Sequence, residues 1–216
     1  MKRLSILVCL FFVLSGKTWS QTDTSALSFT LSGYAEPYFG YDFNQPEDSK
    51  RPDFIYAHNR HNEFNVNIAF LKASVQAQRI RGNLALMAGT YANANLAAEP
   101  NTLQNIFEAN VGVKLVKTHD LWLDAGIFPS HIGFESAVGK DCWTLTRSMM
   151  ADNSPYYEAG AKLSYATRNG QWFFSVLALN GWQRMQRVEG NSMFSGGWQI
   201  TYKPHERVTL NSSGFI

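Results

Sequence analysis

The lengths of the connections constrain this chain more than any single segment does. Stretches that alternate apolar and polar residues are joined in turn by "NQPEDSKRPDFIYAHNR", "RIRG", "ANANLAAEPNTLQ", "KTHD", "PSHIGFESAVGKDCWTLTRSMMADNSP", "TRNG", "QRMQRVEGNSM" and "KPHE". Long and short links take turns throughout. A strand that returns through a tight turn runs antiparallel to its predecessor. With every second link tight, the strands form an up-and-down meander, short turns at one end and long loops at the other. Membrane β-barrels are built this way. A secreted β-sandwich also alternates along its strands, but nothing in its packing demands that every second connection be short.

The alternation is clear in "LSFTLSGYAEPYFGYDF": Leu27, Phe29, Leu31, Ala35, Phe39, Tyr41 and Phe43 take one face, and Ser28, Thr30, Ser32, Glu36 and Asp42 the other. The stretch "YAHNRHNEFNVNIAF" continues it, with Phe64, Val66, Ile68 and Phe70 opposite His61, Glu63, Asn65 and Asn67. After Phe70 the phase inverts: Leu71, Ala73, Val75 and Ala77 become the apolar set against Lys72, Ser74, Gln76 and Gln78, which predicts a β-bulge there. Further strands are predicted over 83–91, 105–116, 121–128, 156–166, 171–182, 194–202 and 207–216, about nine in all. In 171–182, Phe173, Leu177 and Leu179 oppose Trp172, Phe174 and Val176, so either face could be the buried one. The expected fold is all-β, an antiparallel transmembrane β-barrel wall with polar faces toward a lumen and apolar faces toward lipid. Trp122, Tyr165, Trp172 and Tyr202 flank the short turns, as a membrane interface favours.

The first residues agree with export. Met1, Lys2 and Arg3 precede an apolar run from Leu4 to Leu14 and a polar stretch, the layout of a secretory signal peptide over 1–20, with the barrel domain over 21–216. Without Lys2, Arg3 and Lys17 the chain carries 16 basic against 17 acidic residues, so no basic surface for nucleic acid is implied. Cys142 alone would remain after cleavage, which excludes an internal disulfide. The longest apolar run outside the leader, Trp172 to Leu179, falls far short of the ~20 residues a membrane helix needs.

Two clusters invite a chemical reading. His58 and His61, three apart, would point to opposite sides of one strand, and His61 with Glu63 supplies only two ligands, too few for zinc. No metal site and no cofactor are expected. "SHIGFES" holds Ser130, His131, Glu135 and Ser136, but no G-x-S-x-G elbow accompanies them, so an outer-membrane hydrolase is the weakest alternative. The plainer expectation is a structured loop held by Phe128, Ile132, Phe134 and Trp143, in which His131, Glu135, Lys140, Asp141 and Arg147 narrow the barrel or cap its mouth. The expected lumen residues are Glu36, His61, Glu63, Asn65, Asn67, Glu108, Lys114, Asp124, Glu158 and Lys162, whose mixed signs give no preference between cations and anions.

Several segments are similar to one known family: "HNRHNEFNVNIAF", "GNLALMAGTYANANLAAEP", "EANVGVKL", "LWLDAGIFPSHIGFES", "WTLTRSMMADNSPYYEAGAKLSY" and "LNGWQRM". The chain resembles the OmpL-like outer-membrane β-barrel porins (β-barrel porin-2) of Bacteroidota. The resemblance implies a non-enzymatic outer-membrane barrel passing small solutes, with outer-membrane lipid and the barrel-assembly machinery as its partners. It supplies no catalytic motif and no cofactor. Family members are longer and a closed barrel normally has an even number of strands, so the expectation is a C-terminally truncated member that would not close by itself. The alternative function is a non-conducting barrel displaying 129–155 as a binding or adhesion loop.

Overall fold

The computed structural model describes residues 27–216. The expected signal peptide lies outside the described residues. Nine strands pair antiparallel in sequence order: β1 (Ser28–Gly40), β2 (Glu63–Gln76), β3 (Ile80–Ala88), β4 (Ile106–Lys114), β5 (Asp120–Pro129), β6 (Tyr157–Ala166), β7 (Trp172–Leu179), β8 (Ser195–His205) and β9 (Val208–Phe215). Each strand pairs only with its sequence neighbours, so β1 and β9 each keep one unpaired edge among the described residues. Pro37, which has no N–H to donate, sits on one of these edge strands. Links alternate in length as the sequence predicts, and among the described residues no helix is long and apolar enough to cross a membrane.

The two faces of the sheet reverse the polarity of a soluble protein. One face is bare and apolar: Phe29, Leu31, Phe64, Leu71, Leu84, Leu86, Val111, Val113, Val176, Trp198, Ile200 and Leu210 are all exposed. The other is covered by the long connection between β5 and β6 and is largely polar, with Asn67, Glu108, Asn110, Asp124, Glu158, Ser164 and Ser175 buried. The apolar cluster lies among the long connections at one end. There Tyr91, Ala92 and Leu96 of α1 (Thr90–Asn95) and its C-terminal flank meet Ala137, Ala151, Tyr156 and Met185, with Ile68 and Met87 beneath them.

Three details depart from the sequence reading. The bulge in β2 falls earlier than Phe70: Ala35 pairs with Ala69 but Pro37 with Val66, so Asn67 and Ile68 together oppose Glu36. Ile68 and Phe70 therefore turn to the covered face, where Phe70 stacks on Phe107 at 4.8 Å. Phe107 is itself an extra residue in β4, because Ala85 pairs with Glu108 and Leu86 with Ile106. Trp122 also leaves the expected interfacial belt: it is only 5% exposed, with the Arg81 guanidinium 4.3 Å over its ring. Tyr202 and Trp172 do stack at 4.2 Å on the bare face near the short turns. The structure also orients β7, placing Ser175, Leu177 and Leu179 on the covered side and Trp172, Phe174 and Val176 on the bare one.

Candidate functional site

The covered face carries a lattice of polar side chains set by strand register. Lys72, Ala85 and Glu108 lie in one cross-strand row, and the small Ala85 lets Lys72 Nζ reach over it to donate to Glu108 Oε1 at 2.8 Å. In a second row, Arg81, Gly112, Asp124 and Lys162 succeed one another on β3, β4, β5 and β6. Arg81 donates to both oxygens of Asp124, at 2.7 and 2.5 Å, directly above Gly112. This bidentate geometry is the strong form of a charge-assisted pair. Between the rows runs an uncharged chain: Ser74 Oγ donates to Asn83, Asn83 to Asn110, and Asn110 to the Ile127 carbonyl. Near the short turns Lys114 lies 3.4 Å from Asp120, whose Oδ1 also accepts from Trp122 Nε1.

Of the expected lumen residues, Glu36, Glu108, Asp124, Glu158 and Lys162 all sit on this face. Glu158 is fully buried with neither oxygen hydrogen-bonded. Glu63 is tied to Arg60 and Asn65 at the loop end of β2. Asn67 accepts from the His58 N–H at 2.9 Å. His61 is not in a strand: β2 begins at Glu63, and the preceding turn places Asn62 at φ 54°. The His61 ring is buried in the β1–β2 connection, 5.0 Å from the Tyr41 ring, and its Nδ1 accepts from the Asp42 N–H.

The β5–β6 connection crosses the covered face from one side of the sheet to the other. At one side, His131 Nε2 donates to the Gly214 carbonyl of β9 at 2.9 Å; at the other, Arg147 Nη1 comes within 3.6 Å of Glu36 Oε1 on β1. The same Glu36 oxygen accepts from His58 Nε2 at 2.7 Å, and its second oxygen accepts from Tyr34. Arg147 also donates to the carbonyls of Ser136 and Ala137, and is itself nearly unexposed. His58 and Arg147 both hold a left-handed backbone, φ 53° and 64°, unusual for side chains with a Cβ. With Nε2 as the donor, His58 Nδ1 has no partner, which suits a neutral ring. Burial holds this imidazole below its ordinary pKa, Glu36 pulls the other way, and Arg147 and Arg51 add to the lowering.

Within the connection, Glu135 caps the turn by accepting from the Ser148 N–H, while Lys140 lies 5.8 Å over the Tyr34 ring and Asp141 is exposed. Phe134 and Trp143, expected to anchor the segment, are 76% and 98% exposed; Ala137, Val138, Arg147 and Ala151 do the anchoring. Ser130 and Ser136 hydroxyls accept from backbone N–H groups two residues on, and His131 faces Gly214. A Ser–His pair of the hydrolase kind is not formed.

Two features escaped the sequence reading. His58 was set aside by a strand geometry it does not have. Glu99, in a bland linker, is only 4% exposed and accepts from Met185 N–H, Gln186 N–H and Tyr157 O–H, joining the β3–β4 and β7–β8 connections. Lys72 falls in the predicted polar phase but is not singled out by it, and the sequence reading places Arg81 in the short link "RIRG", whereas β3 already begins at Ile80.

Residues 28–216 match the family described as Putative beta-barrel porin-2, OmpL-like. No curated protein and no solved structure matches the chain.

Proposed function

Because the chain belongs to the OmpL-like β-barrel porin family, a family of transport proteins rather than enzymes, we propose that its sheet is the wall of an outer-membrane channel for passive diffusion of small solutes or ions. One observation carries this reading: the apolar face is bare while the charged face is sheltered. Lipid would solvate the first, and a water-filled lumen the second. Glu36, Glu63, Asn65, Asn67, Glu108, Lys114, Asp124, Glu158 and Lys162 then line the lumen, and the β5–β6 connection, bearing His131, Glu135, Lys140, Asp141 and Arg147, lies inside it as a constriction.

A second reading draws on the same connection. Phe134, Trp143, Leu145, Met149 and Met150 are all more than 60% exposed, which suits a displayed binding surface on a silent barrel. Planar-bilayer recordings on the refolded full-length protein separate the two. Discrete, reproducible conductance steps are expected; a folded, inserted protein that stays silent would transfer the assignment to the display reading.

A further inference from the structure

The charges on the covered face are equal in number but not all paired. On β2 to β6, between the Glu36 cluster and the short turns, the carboxylates Glu108, Asp124 and Asp120 are each engaged by their own cation, Lys72, Arg81 and Lys114 respectively. Lys162 makes no ion pair or side-chain hydrogen bond among the described residues. Its cross-strand neighbour Asp124 is held on its far side by both Arg81 nitrogens, and its ammonium instead lies 4.7 Å over the Phe128 ring. Glu158, four positions along the same strand, is about 13 Å away at the rise of an extended chain and is sealed from solvent.

A cavity of about 320 Å³ opens beside this ammonium, lined by Arg81, Lys162 and Ser164 and by the carboxylates Glu108, Asp120 and Asp124, each of which already has its own cation. Two of its other donors are also unspent. Arg81 gives Nε and Nη2 to Asp124, which leaves Nη1, and Ser164, on the same face two positions after Lys162, is buried with no hydrogen bond to its hydroxyl. An unpaired ammonium, a spare guanidinium nitrogen and a hydroxyl around one small space are complementary to a group with several acceptor oxygens.

We propose that Lys162, with Arg81 and Ser164, forms a subsite for one small oxyanion, a carboxylate or phosphate group, and thereby gives the lumen an anion preference. The subsite deepens the channel reading and its selectivity consequence rests on it.

The test has two arms on the full-length refolded protein. In the first, lysines are acetylated with a water-soluble reagent and quantified by peptide mass spectrometry, in phosphate, acetate or chloride at equal ionic strength. Phosphate and acetate should slow modification of Lys162 by about threefold or more relative to exposed Lys203, as expected when the oxyanion is at a few times its Kd, and chloride should not. Protection by phosphate alone identifies a phosphate group, and by both a carboxylate-tolerant site. A ratio of Lys162 to Lys203 rates that is the same in all three salts would overturn the proposal. In the second arm, reversal potentials in a KCl gradient should be anion-selective in the wild type and shift toward cations in Lys162→Gln. An unchanged potential would remove the selectivity claim. If no conductance is seen in either protein, the channel reading fails while the protection experiment still decides the subsite.

Discussion

Replacing Gly112 by alanine tests whether the Arg81–Asp124 pair depends on the space above β4. A Cβ at residue 112 would fall well inside contact distance of Asp124 Oδ1 and 3.0 Å from Arg81 Cγ. The oxygen must withdraw, and both hydrogen bonds cannot survive the movement. A hydrogen bond involving charged groups contributes about 1.5–3 kcal/mol. Because the Arg81 side chain is 31% exposed while Asp124 is 6%, water screens one end of the pair and the lower part of that range, about 1.5–2 kcal/mol, applies. Alanine in a strand recovers roughly 0.5–1 kcal/mol of backbone entropy over glycine. The net expectation is destabilisation by about 1 kcal/mol. In an Asp124→Ala background the shortest contact is gone and the released, flexible Arg81 side chain can move off the remaining one, so the same substitution should be neutral or slightly stabilising. Equilibrium urea unfolding in lipid vesicles, followed by tryptophan fluorescence, reads all four proteins as a double-mutant cycle. The same change, in sign and size, in both backgrounds would refute the idea that residue 112 acts through the ion pair.

Other perturbations address separate parts of the molecule. Leu123→Arg, on the bare face of β5, should cost about 2–4 kcal/mol of membrane insertion, measured as the folded fraction in vesicles; wild-type insertion would mean that this face does not meet lipid. Glu99→Ala removes the acceptor for two backbone N–H groups and Tyr157, and should cost about 3 kcal/mol, visible as faster tryptic cleavage at Arg184 and Arg187. The pH dependence of the β5–β6 anchor follows from His58. Its folded pKa lies below the usual value, so the unfolded chain takes up the proton first, and the neutral ring's contribution is complete above about 6.5 and declines as pH falls below that. Alkylation of Cys142, whose Sγ donates to the Ser136 carbonyl beside the Arg147 anchor, should accelerate in acid after correction for thiolate fraction. His58→Gln should flatten that acceleration; an unaltered profile would place the titration elsewhere.

Strand number, order and link lengths were legible because they are local: two-residue periodicity and turn composition declare themselves within a few positions. What failed was information that resides across the sheet. Ile68 and Phe70 are apolar whichever face they take, so nothing in their neighbourhood marks where the bulge falls; that is decided by Glu36 opposing two residues at once. Trp122 fits an interfacial belt by composition, yet it shares the parity of Asp120 and Asp124 and lies on the covered face, beneath the Arg81 guanidinium. The histidines were misread for a related reason: period-two logic was extended into a segment whose backbone turns left-handed at His58 and Asn62. At the candidate site, the residues that share the covered face on β1 and β4 to β6 were legible by alternation, but their partners were not, because Lys72–Glu108 and Arg81–Asp124 each skip a strand.

The crossing of the β5–β6 connection implies an order of assembly. Every strand pairs with a sequence neighbour, so the sheet can grow hairpin by hairpin with little loop-closure entropy to overcome. The His131–Gly214 bond joins positions 83 apart in sequence, and Arg147 must find Glu36 on the first strand. These contacts need β1 and β9, the first and last of the nine strands, to be present already, so the connection settles against the covered face after the hairpins that frame it.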